Sequence, residues 1–287
     1  MISVLFLSEA KRCQDLTGDS VFAVHADWFV DAASRSPLYE TILELPDTLS
    51  DTAKMLRVDI DRNLKEGNVY RAGFLESGEV KHNRVIERHR SVFGAFWLAY
   101  DFDAQEGQKD VFQYPLGPEG KDGGFQFDRN QAIFTLPNGM LAYLITDADG
   151  RRIPSVPAAH LKDSSRDSLC ASSCMACHHR GIIFHNDEVA KAVASRRSGD
   201  GQVFRVRELY RDNDEFQAYR AADAEQFEAA LRQVAILPTS VEQEPVSAAI
   251  VMFHRDVSFE LAAAELGLTP SQLKQKIDLG QVRVSRL

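Results

Sequence analysis

Three of the four cysteines in the chain fall within one stretch, Cys170-Ala-Ser-Ser-Cys174-Met-Ala-Cys177-His178-His179. Inside it, Cys174 to His178 is a C-x-x-C-H pattern: two thiols share one face of a helical turn and an imidazole follows at once. That arrangement suits two thioethers to one porphyrin edge, with the histidine beneath the ring as proximal iron ligand. One covalently bound haem c is the expected cofactor, held by Cys174 and Cys177 and ligated by His178. Composition alone would produce about 0.001 such patterns by accident, so the string calls for a chemical reason. Two other chemistries use the same residue types. Cys170, Cys174 and Cys177 with His178, His179 or His185 make a Cys3His zinc set, although structural zinc ligands generally come as two separated pairs. A redox-active Cys174–Cys177 disulfide is the other, and the βαβ context that usually carries it is not evident. The plain alternative is a buried cysteine pair beside a surface histidine.

What a haem does depends on its second axial position, where a strong ligand favours electron transfer and an open site favours ligand chemistry. The one methionine downstream of the motif, Met252, sits in the apolar run Ala248–Phe253 and reads as core packing. His89 is the candidate distal ligand, because it closes the run Asn83-Arg-Val-Ile-Glu-Arg-His89 just before Phe93, Phe96, Trp97 and Tyr100, aromatics able to wall a pocket. The other histidines are 25, 82, 160, 179, 185 and 254. Arg84 and Arg88 are candidate partners for the haem propionates.

The compartment follows from the same chemistry. Covalent haem attachment normally belongs to the oxidising side of a membrane, so a periplasmic or otherwise exported protein is expected, and the spare Cys13 and Cys170 are expected to pair. The opening residues do not read as a signal peptide, since the apolar run Val4–Leu7 is short and lacks a basic start. No stretch of 18 or more apolar residues occurs, which excludes a transmembrane helix as the organising element. A formal net charge of −9 over 287 residues disfavours nucleic acid and acidic membrane surfaces as partners.

Around these residues the pattern of the chain changes twice. Residues 1–66 read as mostly helical, with Val24, Trp28, Phe29, Ala32 and Ala33 forming one apolar face, cap residues at Leu49-Ser50-Asp51, and Gly67 as a stop. Residues 67–200 are rich in glycine, aromatics and period-two alternation, which predicts strands. The clearest element there is a hairpin, Ala132–Leu136 and Met140–Thr146 about Pro137-Asn138-Gly139, followed by a turn at Asp147-Ala-Asp149-Gly150. Leu161–Ser168 reads as a surface loop leading into the cysteines. Residues 201–287 are helical, interrupted at Pro238 and Gly267. The fold class is therefore α+β, with a β-rich centre carrying the haem segment between helical regions, and a single compact domain is the alternative to three separate regions.

Several strings taken together resemble a known family. They are Arg71-Ala-Gly-Phe74, Asn83–His89, Gly94-Ala-Phe-Trp97, Tyr100-Asp-Phe102, Pro115-Leu-Gly-Pro118, Leu136-Pro-Asn-Gly139 and Ser173–His178. The set resembles large bacterial single-haem proteins of the c-type cytochrome kind, which are usually exported. The resemblance runs from about Trp28 to the C-terminus. It implies that the β-rich centre and the haem segment form one unit and that His89 is more than a surface residue. It implies no particular reaction.

The function expected from all this is electron transfer to or from a redox partner protein through a single haem. An alternative is a peroxidase-like haem enzyme or gas-binding protein with an open distal site. A third reading is a zinc-stabilised DNA- or protein-binding module. Its support is the outline of a helix-turn-helix over Val257–Ile277, with Gly267 as the turn, Thr269 as cap and Pro270 opening the second helix. An ordinary helical hairpin packing Leu261, Leu266, Leu268, Leu273 and Ile277 accounts for the same pattern. Lys274, Lys276, Arg283 and Arg286 are opposed there by Glu260, Glu265 and Asp278, which leaves little charge for phosphates.

Overall fold

The computed structural model describes residue 15 and residues 25–280, apart from 76, 78, 119–123, 164, 166, 184, 195–199, 212 and 235–237. Its centre is an antiparallel meander of β1 (Tyr70–Phe74), β2 (Arg84–Ser91), β3 (Gly94–Asp101), β4 (Arg129–Thr135) and β5 (Leu141–Asp147), each strand paired with the next in sequence. The β4–β5 hairpin lies where Asn138-Gly139 predicts it. Gly139 sits at φ 82°, its N–H donates to Leu136 O, and Leu136 N–H donates to Met140 O, closing the strands without a Cβ in the way.

Four short helices precede the sheet: α1 (Ala26–Ala33), α2 (Leu38–Leu43), α3 (Leu49–Met55) and α4 (Ile60–Glu66). The cap of α3 is Thr48, whose hydroxyl accepts from Asp51 N–H, so the helix starts a turn earlier than Leu49-Ser50-Asp51 suggests. Gly67 ends α4 in the left-handed conformation, as expected. Beyond the sheet come the two-residue strands β6 (Ser155–Val156) and β7 (Ser168–Leu169), then α5 (Ser172–Cys177), α6 (Val189–Ala194), α7 (Asp200–Leu209), α8 (Asn213–Gln233), α9 (Pro245–His254), α10 (Phe259–Glu265) and α11 (Pro270–Asp278). The architecture is α+β.

Antiparallel sheets often leave one face to water, but here both faces are covered, and β3 is buried along almost its whole length. The strand registers sort the residues into two sets. Val85, Glu87 and His89 share the inner face with Phe96, Leu98, Tyr100, Ala132, Phe134, Ala142 and Leu144. Leu56 and Leu64 of the N-terminal helices and Val206, Leu209 and Tyr210 join this core from opposite ends of the chain. Ile86, Trp97, Ile133, Tyr143 and Ile145 point to the outer face. There they meet Ile182 and Phe216 on one side and Val156, Leu161 and Cys170 on the other. Residues 1–66, 67–200 and 201–287 therefore contribute to a common interior.

Two packing expectations are overturned. Trp28 and Phe29 are each 50% exposed, and the buried side chain of α1 is Asp31, tied to Arg35 and His254. Met252 is also 50% exposed rather than core. In the C-terminal pair the capping box at Thr269 and Gln272 is present, with Pro270 at the first helical position. Ala263 and Leu273 are buried between the helices while Leu266 is 55% exposed. Among the described residues, no helix is long and apolar enough to cross a membrane.

Candidate haem-binding site

The C-x-x-C-H string forms the single-turn helix α5 and its exit. Leu169 N–H donates to Ser173 Oγ and Cys170 N–H to Pro154 O, which pins the helix start to the outer side of the sheet. Cys174 packs with Met175 against the Tyr143–Ile145 cluster, and burial pushes its thiol well above the ordinary range. That is the reverse of an activated redox thiolate. Cys177, one turn later, is exposed and borders a cavity.

His178 caps α5, and its N–H donates to Cys174 O at 2.8 Å. Its ring Nδ1 lies 3.0 Å from Gly181 O. A carbonyl can only accept, so Nδ1 carries the proton and Nε2 keeps the lone pair. Histidines that ligate metals are commonly held in this way. Burial lowers the proton affinity of the ring, which favours the neutral form a metal requires. Gly181 makes the contact possible. It sits at φ 97°, and a Cβ there would come within 3.2 Å of Ala224 Cβ on α8.

The cavity bordered by Cys177 and His178 holds about 450 Å³ and lies on the outer face of the sheet. That falls within the range of small-molecule and cofactor sites. Its apolar walls include Trp97, Ile133, Ile182 and Ile183. Its polar floor is Arg84, whose Nε donates to Asp101 Oδ1 at 2.5 Å and whose Nη2 donates to Asp101 Oδ2 and Glu79 Oε2 at 3.0 and 3.2 Å. Burial raises Glu79, but Arg84 outweighs it and keeps the carboxyl below its usual range. Gln131 and Ser168 complete the network through Asp101 and Glu79. His185 lines the same cavity, with its ring stacked on Phe74 at 4.3 Å.

The other expected site residues are distributed differently. His89 lies on the inner face, across the sheet from His178, and its side chain has no exposure. Both its ring nitrogens are engaged: Nε2 with Glu87 Oε1 at 3.0 Å and Nδ1 with Asn63 Nδ2 at 3.1 Å. It cannot reach an iron held by His178. Phe96 and Tyr100 are inner-face residues too, so of the aromatic stretch only Trp97 walls the cavity. Arg88 points outward but does not line the cavity, because its guanidinium grips Asp223 at 2.7 and 2.8 Å. Arg84 does border the cavity, with Nε and Nη2 already held by two carboxylates.

Cys170 is buried with its thiol directed at Tyr143 O, 3.7 Å away; the expected bridge to Cys13 falls on a residue outside the described ones. Among the described residues no three or more His, Cys, Asp or Glu side chains converge to hold a metal ion, so the Cys3His set is not assembled. His179 turns to the backbone of its own turn, with Nδ1 2.9 Å from Ala176 O.

No family model, no curated protein and no solved structure matches this chain. The resemblance to single-haem proteins rests on the motifs alone. The residues missed by sequence reasoning are Glu79, Gln131, Ile182 and Ile183, which come from three separate segments. His185 carried a signal, as a histidine seven positions after His178, but nothing in its neighbours separates it from the other histidines.

Proposed function

We propose that the chain is a c-type haem protein, binding one haem through Cys174 and Cys177 with His178 as proximal ligand, and that it transfers electrons to or from a partner protein. The observation that carries the reading is His178 Nδ1 donating to Gly181 O beside a cavity of cofactor size, with Cys177 on its rim. Bound haem supplies a one-electron couple whose potential is set by its axial ligands and surroundings. The chain's own residues fit that task in part, since Cys177 and His178 border the cavity whereas Cys174 packs beside it against Tyr143 and Ile145. His178 is oriented by the Gly181 carbonyl, Trp97 and the isoleucines exclude water from one wall, and the Arg84 network fixes charge on the floor. Cys177 is exposed, so one attachment point is at the surface, where a partner can approach. An exported location remains part of this reading, since thioether formation belongs to oxidising compartments.

The role expected of His89 passes to His185, which lines the same cavity as His178 and would be the second residue to hold a bound iron. If His185 leaves the iron readily, the site binds small ligands, which is the enzyme or gas-binding alternative. One experiment addresses both levels. The chain, produced in a host with haem-c maturation machinery, is examined by pyridine haemochrome spectroscopy and by haem stain after denaturing electrophoresis. Retained stain with a c-type spectrum is expected, and the Cys174→Ala/Cys177→Ala double variant loses both. A colourless wild-type protein from that host would refute the haem reading. With stain retained, rapid carbon monoxide binding by the reduced wild type would move the function from electron carrier to ligand chemistry.

A further inference from the structure

A second cavity, of about 720 Å³, opens between α4, the β1–β2 edge and α8. Five arginines line it: Arg57, Arg62, Arg88, Arg90 and Arg211. The acids in its wall are Asp59 and Glu66. In a chain of net charge −9 this is a local reversal of sign.

Three of the arginines are anchored within the wall. Arg62 Nε donates to Glu66 Oε1 at 2.9 Å, Arg88 grips Asp223, and Arg211 Nη2 donates to Gly67 O at 2.7 Å. Arg57 and Arg90 are exposed and have no acidic partner among the described residues. Arg57 is also held in an unusual conformation. It follows α3 at φ 57°, with Arg57 N–H donating to Lys54 O and Val58 N–H to Ala53 O. This is the Schellman closure, whose left-handed position ordinarily takes glycine or asparagine. A long cation stands at a backbone position that disfavours it, on the rim of a cavity with surplus positive charge.

We propose that this cavity binds a small organic oxyanion carrying two or more negative charges, a phosphomonoester or a polycarboxylate. Guanidinium forks pair bidentately with both groups, and the cavity has room for more than a bare ion. Aromatic ligands are disfavoured by the two tyrosines in the wall. Tyr70 and Tyr219 pack on each other with centroids 4.3 Å apart, and Arg211 and Arg88 cover them at 4.5 and 4.7 Å, leaving little ring face for stacking. The site adjoins the first cavity through Asp223, which holds Arg88 and also accepts from Trp97 Nε1 at 2.8 Å. The proposal does not depend on haem.

The test is isothermal titration of the full chain at physiological ionic strength with glycerol 3-phosphate, citrate and inorganic phosphate. Saturable one-to-one binding of glycerol 3-phosphate or citrate is expected, and the tighter of the two identifies the ligand class. Arg57→Gly and Arg90→Ala should each weaken that binding by about tenfold, the loss of one charge-assisted contact. Arg57→Gly should do so with a Tm at or above that of the wild type, because glycine fits the left-handed position. That separates lost recognition from lost folding. No saturable binding of any probe, or equal affinity in the Arg57→Gly/Arg90→Ala double variant, overturns the proposal. Inorganic phosphate binding as tightly as both organic anions overturns the organic assignment.

Discussion

His178 owes its orientation to a residue with no side chain. Gly181 presents the carbonyl that accepts from Nδ1; its φ of 97° strains any residue with a Cβ, and its 3.2 Å approach to Ala224 would push that neighbour back. Gly181→Ala should therefore act twice. The left-handed backbone costs about 1–2 kcal/mol for a residue with a Cβ, and the contact with α8 shifts the loop that holds the imidazole. The expected result is a lower urea midpoint together with a ferric spectrum showing weakened His178 ligation. A variant that loses stability but keeps an unchanged spectrum would show that the carbonyl does not orient the ring. The attachment residues themselves were legible because C-x-x-C-H is a local pattern. The partner carbonyl was not, since the turn that presents it also packs against Ala224 of α8, from a distant part of the chain.

At the level of the element, the lesson lies in β2. Arg84, Arg88 and His89 are close in sequence and all have chemistry of use to a haem, which made one pocket of them attractive. A strand forbids it. Side chains alternate between faces with a period of two, so Arg84 and Arg88 point outward while His89 points inward with Glu87. The period was legible once the segment was read as a strand. What the sequence could not reveal was that both faces are buried, the inner one by segments from opposite ends of the chain and the outer one by Phe216 and Ile182 with Val156, Leu161 and Cys170, so that each face holds its own polar cluster. His89→Ala tests the separation. It leaves Glu87 Oε1 with one partner fewer and opens a small void, and about 1–3 kcal/mol of stability should be lost. The visible spectrum of haem-loaded protein should not change, whereas His185→Ala should alter it. A spectral change in His89→Ala without loss of stability would return His89 to the iron.

Over the whole molecule, the three regions of the chain differ in composition yet share buried clusters. The change from helical to alternating pattern near residue 67 is real, yet the interior crosses it. One buried cluster joins all three regions. Arg71 on β1 donates to Glu87 on β2 at 2.6 and 3.1 Å, Tyr100 on β3 donates to Glu87 at 2.6 Å, and His89 links Glu87 to Asn63 of α4. Arg71 also lies between the rings of Phe125 and Tyr210, 5.4 and 5.7 Å from their centroids, and Tyr210 follows α7. Such a long-range polar core has no local signature, because each member is an unremarkable residue until the sheet brings it to the others. Its consequence is a pH dependence of folding. Burial raises Glu87, but Arg71 and then His89 outweigh it and bring the carboxyl down to about 2, against an ordinary 4.5. A carboxyl depressed by folding binds its proton more readily in the unfolded chain. Its contribution is therefore complete above about pH 4.5 and is lost as the pH falls towards 2. The denaturation midpoint should decline through that window. Glu87→Gln should flatten this component of the decline and cost about 3–5 kcal/mol at neutral pH, because Arg71 is left buried without its counter-charge. Because the cluster spans the three regions, helical circular dichroism and Trp97 fluorescence should be lost in one transition in wild type. Two separated transitions would mean that the C-terminal helices fold on their own and that the shared interior is not what holds them.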